Sequence, residues 1–182
     1  MIDISISIET KKTDELSRKE MKLMNLYRER EFGKSELKDF KRDYPDSLFF
    51  FLKQGDTILA FGTLVPLGIT YLGKDYKILG ICNIVSTEKG RGYGRMLVYD
   101  MIKYLDKEEK TGLGFCPHNV SEFYNNCGFN MDKNLVGRFK FQGELPEERK
   151  NESDLIYHEG PDNFIDKVSS TEDIVSVNMS PW

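Results

Sequence analysis

The residues best suited to chemistry lie in one short run, Lys89-Gly90-Arg91-Gly92-Tyr93-Gly94, where glycines alternate with cations and an aromatic. Glycine lets a backbone approach a ligand closely, and a helix opening just after such a turn offers unpaired N–H groups and the positive end of its dipole. That combination suits a pyrophosphate. Two familiar nucleotide turns do not fit. No Gly-Lys-Ser or Gly-Lys-Thr follows at phosphate-loop spacing, and Gly90, Gly92 and Gly94 miss the Gly-x-Gly-x-x-Gly pattern of dinucleotide folds. The alternative is a strand-to-helix turn whose glycines serve geometry alone.

The elements that must position this turn are legible on either side of it. Ile78, Leu79, Ile81, Ile84 and Val85 form an apolar, partly β-branched run that predicts a strand. Beyond the glycines, Met96, Leu97, Met101 and Ile102 recur at helical spacing.

This strand, turn and helix resemble the GCN5-related N-acetyltransferase (GNAT) family. Its signature is Arg or Gln, two residues, Gly, one residue, and Gly or Ala, after a central strand and opening a helix. Lys89, Gly90-Arg91, Gly92, Tyr93 and Gly94 follow that order, with Lys89 in place of Arg or Gln. Lysine keeps the charge but loses the bidentate fork, so the expected contact rests on the backbone. A second segment is similar to the family as well. Gly112-Leu113-Gly114-Phe115-Cys116 predicts a short strand, and Asn119, Phe123-Tyr124 and Gly128-Phe129 match the family's later Asn, Phe-Tyr and Gly-Phe positions. The resemblance covers residues 48–130.

The resemblance implies an α+β fold with a central mixed, mostly antiparallel twisted sheet flanked by helices, its central parallel strands splayed. It also implies acetyl-CoA as cofactor and transfer to a primary amine of a small molecule, by direct attack in a ternary complex without an acyl-enzyme. On this reading the pyrophosphate lies on Lys89, Gly90, Arg91, Gly92, Tyr93, Gly94 and Arg95. The pantetheine arm bonds amides around Cys82 and Ile84, with Asn119 as a further cofactor contact. Tyr124 becomes the acid for the departing thiolate, since a phenol with a reference pKa of about 10 is protonated at neutral pH.

The proton acceptor is harder to place. His118 follows a predicted strand and titrates in the useful range, although a histidine there also suits a cap or a surface position. The hairpin before the central strand, the Phe115-Cys116 strand and the terminal Pro181-Trp182 are similar to the branch containing aminoglycoside 2′-N-acetyltransferases. In that branch the chain end approaches the active site, which would let the Trp182 carboxylate receive the amine's proton through water. Two alternatives stay open. The missing Arg or Gln and the lack of an obvious base also fit a non-catalytic acyl-CoA-binding or sensing protein, and the acceptor could be a peptide or protein amine.

The rest of the chain supplies context. Its 182 residues, 39% hydrophobic and 31% charged, suit a single acetyltransferase-like domain over 1–182, with a cofactor core at about 78–130 and an acidic segment at 143–182. Alternation over 2–8 predicts a strand. Residues 13–30 predict a helix with Leu16, Leu23, Met24 and Tyr27 on one face, interrupted by Glu20 and capped at Thr13 or Asp14. A second helix is predicted over 35–44. The aromatics Tyr27, Phe32, Phe40 and Tyr44 are expected to pack rather than to line an acceptor pocket. Gln54-Gly55-Asp56 and Gly73-Lys74-Asp75 mark hairpins between strands at 48–53 and 57–65 and at 69–72 and 76–86. A helix over 95–105 then leads to the strand at 112–116, which predicts a parallel crossover. Further strands are expected at 139–141, 155–157 and 174–179.

From Gly143 onward ten acidic residues face three basic ones, which reads as a solvated face or as a wall attracting a cationic acceptor. A net charge of −4 provides no basic excess for nucleic acid, so none is expected as a partner. With neither a leader pattern nor a membrane-length apolar run, no membrane partner is expected and a cytoplasmic location is. Cys82, Cys116 and Cys127 lack CxxC spacing, so buried thiols are expected and no metal site. A homodimer is compatible with the sequence, which leaves the oligomeric state open.

Overall fold

A computed structural model describes residues 5–33, 37–142 and 152–178. The expectations placed on Ile2, Ser35 and the chain end at Trp182 lie outside those residues. The chain divides into two compact units, Met1–Val65 with Cys82–Met101, and Pro66–Ile81 with Ile102–Trp182.

In the first unit, β1 (Ile6–Lys12) pairs antiparallel with β2 (Leu48–Gln54), and β2 with the early part of β3 (Thr57–Tyr71). β1 runs past the expected end at Ile8 because each residue to Lys12 has a partner on β2. The Phe49 to Leu52 run of β2 is buried without alternation, as a strand covered on both faces requires.

Helix α1 (Arg18–Phe32) is capped by Ser17, not by Thr13 or Asp14. Thr13 belongs to a 3-10 turn, and its hydroxyl donates to the Tyr44 carbonyl at 2.6 Å, so it is spent elsewhere. Ser17 Oγ accepts from the Glu20 N–H at 3.2 Å while the Glu20 carboxylate accepts from the Ser17 N–H at 2.8 Å, a reciprocal capping box. The buried face of α1 is therefore Glu20, Met24 and Arg28, four residues apart, and the expected Leu23 and Tyr27 are only half-buried. The short α2 (Phe40–Asp43) is capped by the Asp39 side chain. Phe40 and Tyr44 pack against Phe49, with ring centroids 5.9 and 6.5 Å away, so these two aromatics fill core as expected.

β3 joins two runs expected as separate strands. Pro66 occupies an exposed position in it, where the missing N–H costs one ladder donor without ending the strand. The turn into β4 (Lys74–Ser86) is Leu72-Gly73 rather than Gly73-Lys74-Asp75, with φ of +50° and +72°, the pair of positive values that a tight hairpin favours.

In the second unit, β4 pairs parallel with β5 (Gly112–Pro117) through Leu79↔Gly112 and Gly80↔Leu113. The approach is close enough that a Cβ on Gly114 would lie 2.8 Å from the Ile81 carbonyl oxygen, so only glycine fits. The crossover to β5 is helix α3 (Tyr93–Lys107), longer at both ends than expected, whose buried positions are Leu97, Val98, Met101 and Leu105. Met96, expected inside, is 43% exposed. After β5 come α4 (His118–Cys127) and β6 (Asn130–Asp132), then β7 (Phe139–Phe141), β8 (Ser153–His158), α5 (Phe164–Ser169) and β9 (Val175–Val177). β8 lies antiparallel to both β5 and β6, while β9 pairs parallel with β7 and antiparallel with β3 at Ile69 and Thr70. The main strand order is β1-β2-β3-β4-β5-β8-β6, the mixed and mostly antiparallel sheet that was expected. Cys82, Cys116 and Cys127 are buried and form no disulfide among the described residues.

Candidate active site

The first unit contains the glycine turn. Along β4 burial alternates at Tyr76, Ile78 and Gly80, runs unbroken to Asn83 and resumes at Val85; the pleat slips at Asn83, where φ is +52°. A left-handed residue rotates the adjoining peptide units out of the regular pleat. The slip falls between Cys82 and Ile84, the amides expected to meet the pantetheine arm. Asn83 tolerates this conformation better than most residues, and its side-chain oxygen accepts from Arg28 Nε at 2.8 Å.

The turn is anchored at its start by Thr87, whose N–H and hydroxyl both donate to the Leu59 carbonyl at 2.9 Å. Gly90 and Gly92 have φ of +75° and +79°, and no heavy atom lies within 4 Å of a Cβ built on either. Both glycines are thus required by backbone conformation, and the space before them is open. Gly94 differs, since α3 begins at Tyr93 and already includes it. The first turn of α3 follows directly, and its N–H groups are the ones the sequence analysis expects as donors. The cations beside them are engaged: Lys89 Nζ lies 2.5 Å from Glu31 and Arg91 Nε 3.5 Å from Glu88, all on exposed or half-exposed side chains. Arg95 is exposed on the first turn of α3. An open glycine turn, a helix N-terminus and flanking cations fit the pyrophosphate of a coenzyme A.

The second unit contains His118, Asn119 and Tyr124, all on α4. His118 opens the helix, its N–H donating to the Glu152 carbonyl at 3.1 Å. Its ring Nδ1 lies 2.8 Å from Asp154 Oδ1 on β8. The carboxylate is 1% exposed against 51% for the imidazole, and among the described residues Asp154 Oδ2 has no hydrogen-bond partner. A carboxylate only accepts, so the proton of a neutral ring sits on Nδ1 and the lone pair on Nε2. Asp154 faces Cys116 across the β5–β8 ladder; burial first, and this charge second, push the Cys116 thiol up to about 12. Asn119 is exposed. Tyr124 is half-buried, its ring edge-on to Phe123 at 5.2 Å and tilted to Phe129 at 6.4 Å. Six residues of helix separate His118 from Tyr124, about 9 Å of rise and about 240° of rotation, so they occupy different faces of α4.

The structure therefore groups Cys82, Ile84 and 89–95 in one unit and His118, Asn119 and Tyr124 in the other. Sequence reasoning missed Arg28, Asn83 and Asp154. Only Asn83 left a local trace, as a polar residue inside an apolar strand.

A family model for the acetyltransferase (GNAT) family matches residues 17–129. The chain belongs to the GNAT family. It is accordingly a GNAT-type acyltransferase that uses acetyl-CoA in acyl-CoA-dependent acetyl transfer. Solved structures share this fold at low identity. Escherichia coli ElaA is 15% identical with a TM-score of 0.60, over 85% of this chain and all (100%) of that one. The E. coli GNAT family N-acetyltransferase YhbS, solved in complex with CoA, is 14% identical with a TM-score of 0.59, over 98% of this chain and 93% of its own. An acyl-CoA N-acyltransferase from Pseudomonas aeruginosa is 14% identical with a TM-score of 0.56, over 85% of this chain and 99% of that one. No curated protein matches the chain in sequence. Among the described residues no helix is long and apolar enough to cross a membrane, and no group of three or more His, Cys, Asp or Glu is placed to hold a metal ion.

Proposed function

We propose that this GNAT protein acetylates a primary amine of a small molecule by direct attack, with residues 1–182 acting as one acetyltransferase domain. The observation that carries the reading is the His118–Asp154 pair, an imidazole held at 2.8 Å by a buried carboxylate. Amine attack needs a proton acceptor, and a histidine with a fixed tautomer supplies one near neutral pH. Its presence weighs against the non-catalytic alternative, which was motivated by the lack of a base.

Acetyl-CoA, when bound, supplies an acetyl group activated as a thioester. The N–H groups of Gly92, Tyr93 and Gly94 are assigned to the pyrophosphate, with Arg91, Arg95 and Lys89 raising the local positive potential. Amides at Cys82 and Ile84 are assigned to the pantetheine arm and Asn119 to a further cofactor contact. His118 Nε2 takes the proton the amine loses on attack. Tyr124 donates its hydroxyl proton to the departing sulfur. The Trp182 carboxylate, the other sequence-derived acceptor, lies outside the described residues and plays no part in this assignment.

Thiol release from acetyl-CoA across a panel of primary amines tests the reading. Turnover with at least one amine is expected, falling by on the order of 10² or more in His118→Gln. Binding of acetyl-CoA without turnover on any amine, or a His118→Gln variant as fast as wild type with chemistry rate-limiting, would overturn it.

A further inference from the structure

Helix α1 buries two charges on one face, and the fold treats them differently. Glu20 is neutralised: Lys11 Nζ lies at 2.6 Å, and the Ser17 N–H and hydroxyl both donate to its carboxylate at 2.8 Å. Arg28, two turns on, is 8% exposed, yet among the described residues its guanidinium has no carboxylate partner. Its hydrogen bond goes to a neutral amide, from Nε to Asn83 Oδ1 at 2.8 Å, and the rings of Phe32 and Phe40 flank it at 6.0 Å.

Withdrawing a cation from water without an anion is costly, and such charges are paired or meet a ligand. The buried side-chain nitrogens and oxygens without a partner, among the described residues, are Thr63 Oγ1 and Asp154 Oδ2, and neither Nη of Arg28 is one of them. The side chain is buried and braced at Nε, and among the described residues no hydrogen bond engages its two outer nitrogens. That is the planar fork that matches a carboxylate bidentately.

The surroundings reinforce it. Lys38 adds a second positive charge acting with Arg28 on the Cys82 thiol. The acid on the adjacent helix is committed, since the Asp43 carboxylate accepts from Arg42 Nε at 2.8 Å and from the Asp39 N–H at 3.0 Å. Arg28 also meets β4 at its left-handed residue, between Cys82 and Ile84, where the acyl arm is assigned. Strained conformations of this kind persist where the surrounding structure holds them for function.

We infer that Arg28, braced by Asn83, binds a carboxylate of the acceptor, so that the amine acetylated by this enzyme belongs to an amino acid or a similar amino-carboxylate. This rests on the reading of the chain as an amine acetyltransferase and narrows it, replacing the cationic acceptor suggested by the acidic tail with a zwitterionic one.

The test uses the full chain and matched acceptors, a panel of L-amino acids and their carboxamides, with thiol release as readout. The acids should exceed the amides in kcat/KM by on the order of 10², the scale of leaving a built ion-binding group unpaired. Arg28→Lys, which keeps the charge and loses the fork, should collapse that ratio toward one. Binding of N-acetyl amino acids, followed by calorimetry, reports on the same contact without catalysis and should weaken in Arg28→Lys. Equal turnover of acids and amides, an undiminished ratio in Arg28→Lys, or displacement by inorganic phosphate at lower concentration than by acetate would overturn the inference. If no amine is turned over but N-acetyl amino acids still bind in an Arg28-dependent way, the carboxylate site stands and the transferase assignment falls.

Discussion

Helices α3 and α4 both open at residues assigned to the reaction, but they are built differently. At the start of α3 the assigned groups are backbone amides, beside two left-handed glycines on which a Cβ would meet no described atom within 4 Å. At the start of α4 the contributing group is a side chain, His118, whose orientation is set by a carboxylate on another strand. A backbone site tolerates changes in the side chains around it and fails when a Cβ blocks the chain's path. A side-chain site shows the opposite sensitivity, losing function with a single atom and surviving where the backbone keeps its shape.

The sharpest way to break this contrast is Gly92→Val. A β-branched residue at φ +79° is strained by about 1–2 kcal/mol and projects into the space assigned to the pyrophosphate. Acetyl-CoA affinity, measured by calorimetry, should fall by on the order of 10² or more. A folded variant with unchanged affinity would show that the turn serves geometry alone.

Next in size is Tyr124→Phe, which removes one hydroxyl. Turnover should drop by on the order of 10² with acetyl-CoA affinity little altered, the split expected for a group needed only as charge develops on sulfur. Loss of affinity without loss of kcat would make Tyr124 a binding residue instead.

Asp154→Asn probes orientation. Turnover should fall by about 10- to 100-fold, the worth of one charge-assisted hydrogen bond at about 1.5–3 kcal/mol. An unchanged kcat in a folded variant, with chemistry rate-limiting, would mean that Asp154 does not orient His118.

The smallest effect belongs to Lys89→Ala. This cation is exposed and already paired with Glu31. Acetyl-CoA affinity should weaken by about threefold or less at physiological salt and by more at low salt. Weakening independent of salt would point to a specific contact that the exposed ion pair does not suggest.

How far each region could be read beforehand follows from the same contrast. The strand, turn and helix from Ile78 to Tyr104 were legible because left-handed glycines and apolar periodicity act within a few residues of themselves. The boundaries shifted where a tertiary partner intervened, as when Tyr44 claimed the Thr13 hydroxyl and left the α1 cap to Ser17. Met96 satisfied the helical spacing yet stayed exposed, since periodicity finds a stripe without fixing its centre.

The sequence by itself determined the turn: Gly90 and Gly92, left-handed as their type permits, and the apolar periodicity of the helix behind them act locally. Only the tertiary structure decided what His118 and Arg28 would face. Asp154 reaches His118 through the antiparallel register that sets Cys116 opposite it, and Arg28 meets Asn83 because α1 lies against β4. Thirty-six residues separate one pair and fifty-five the other. A contact over such distances is fixed by the packing of whole elements, which no local pattern of residue types encodes.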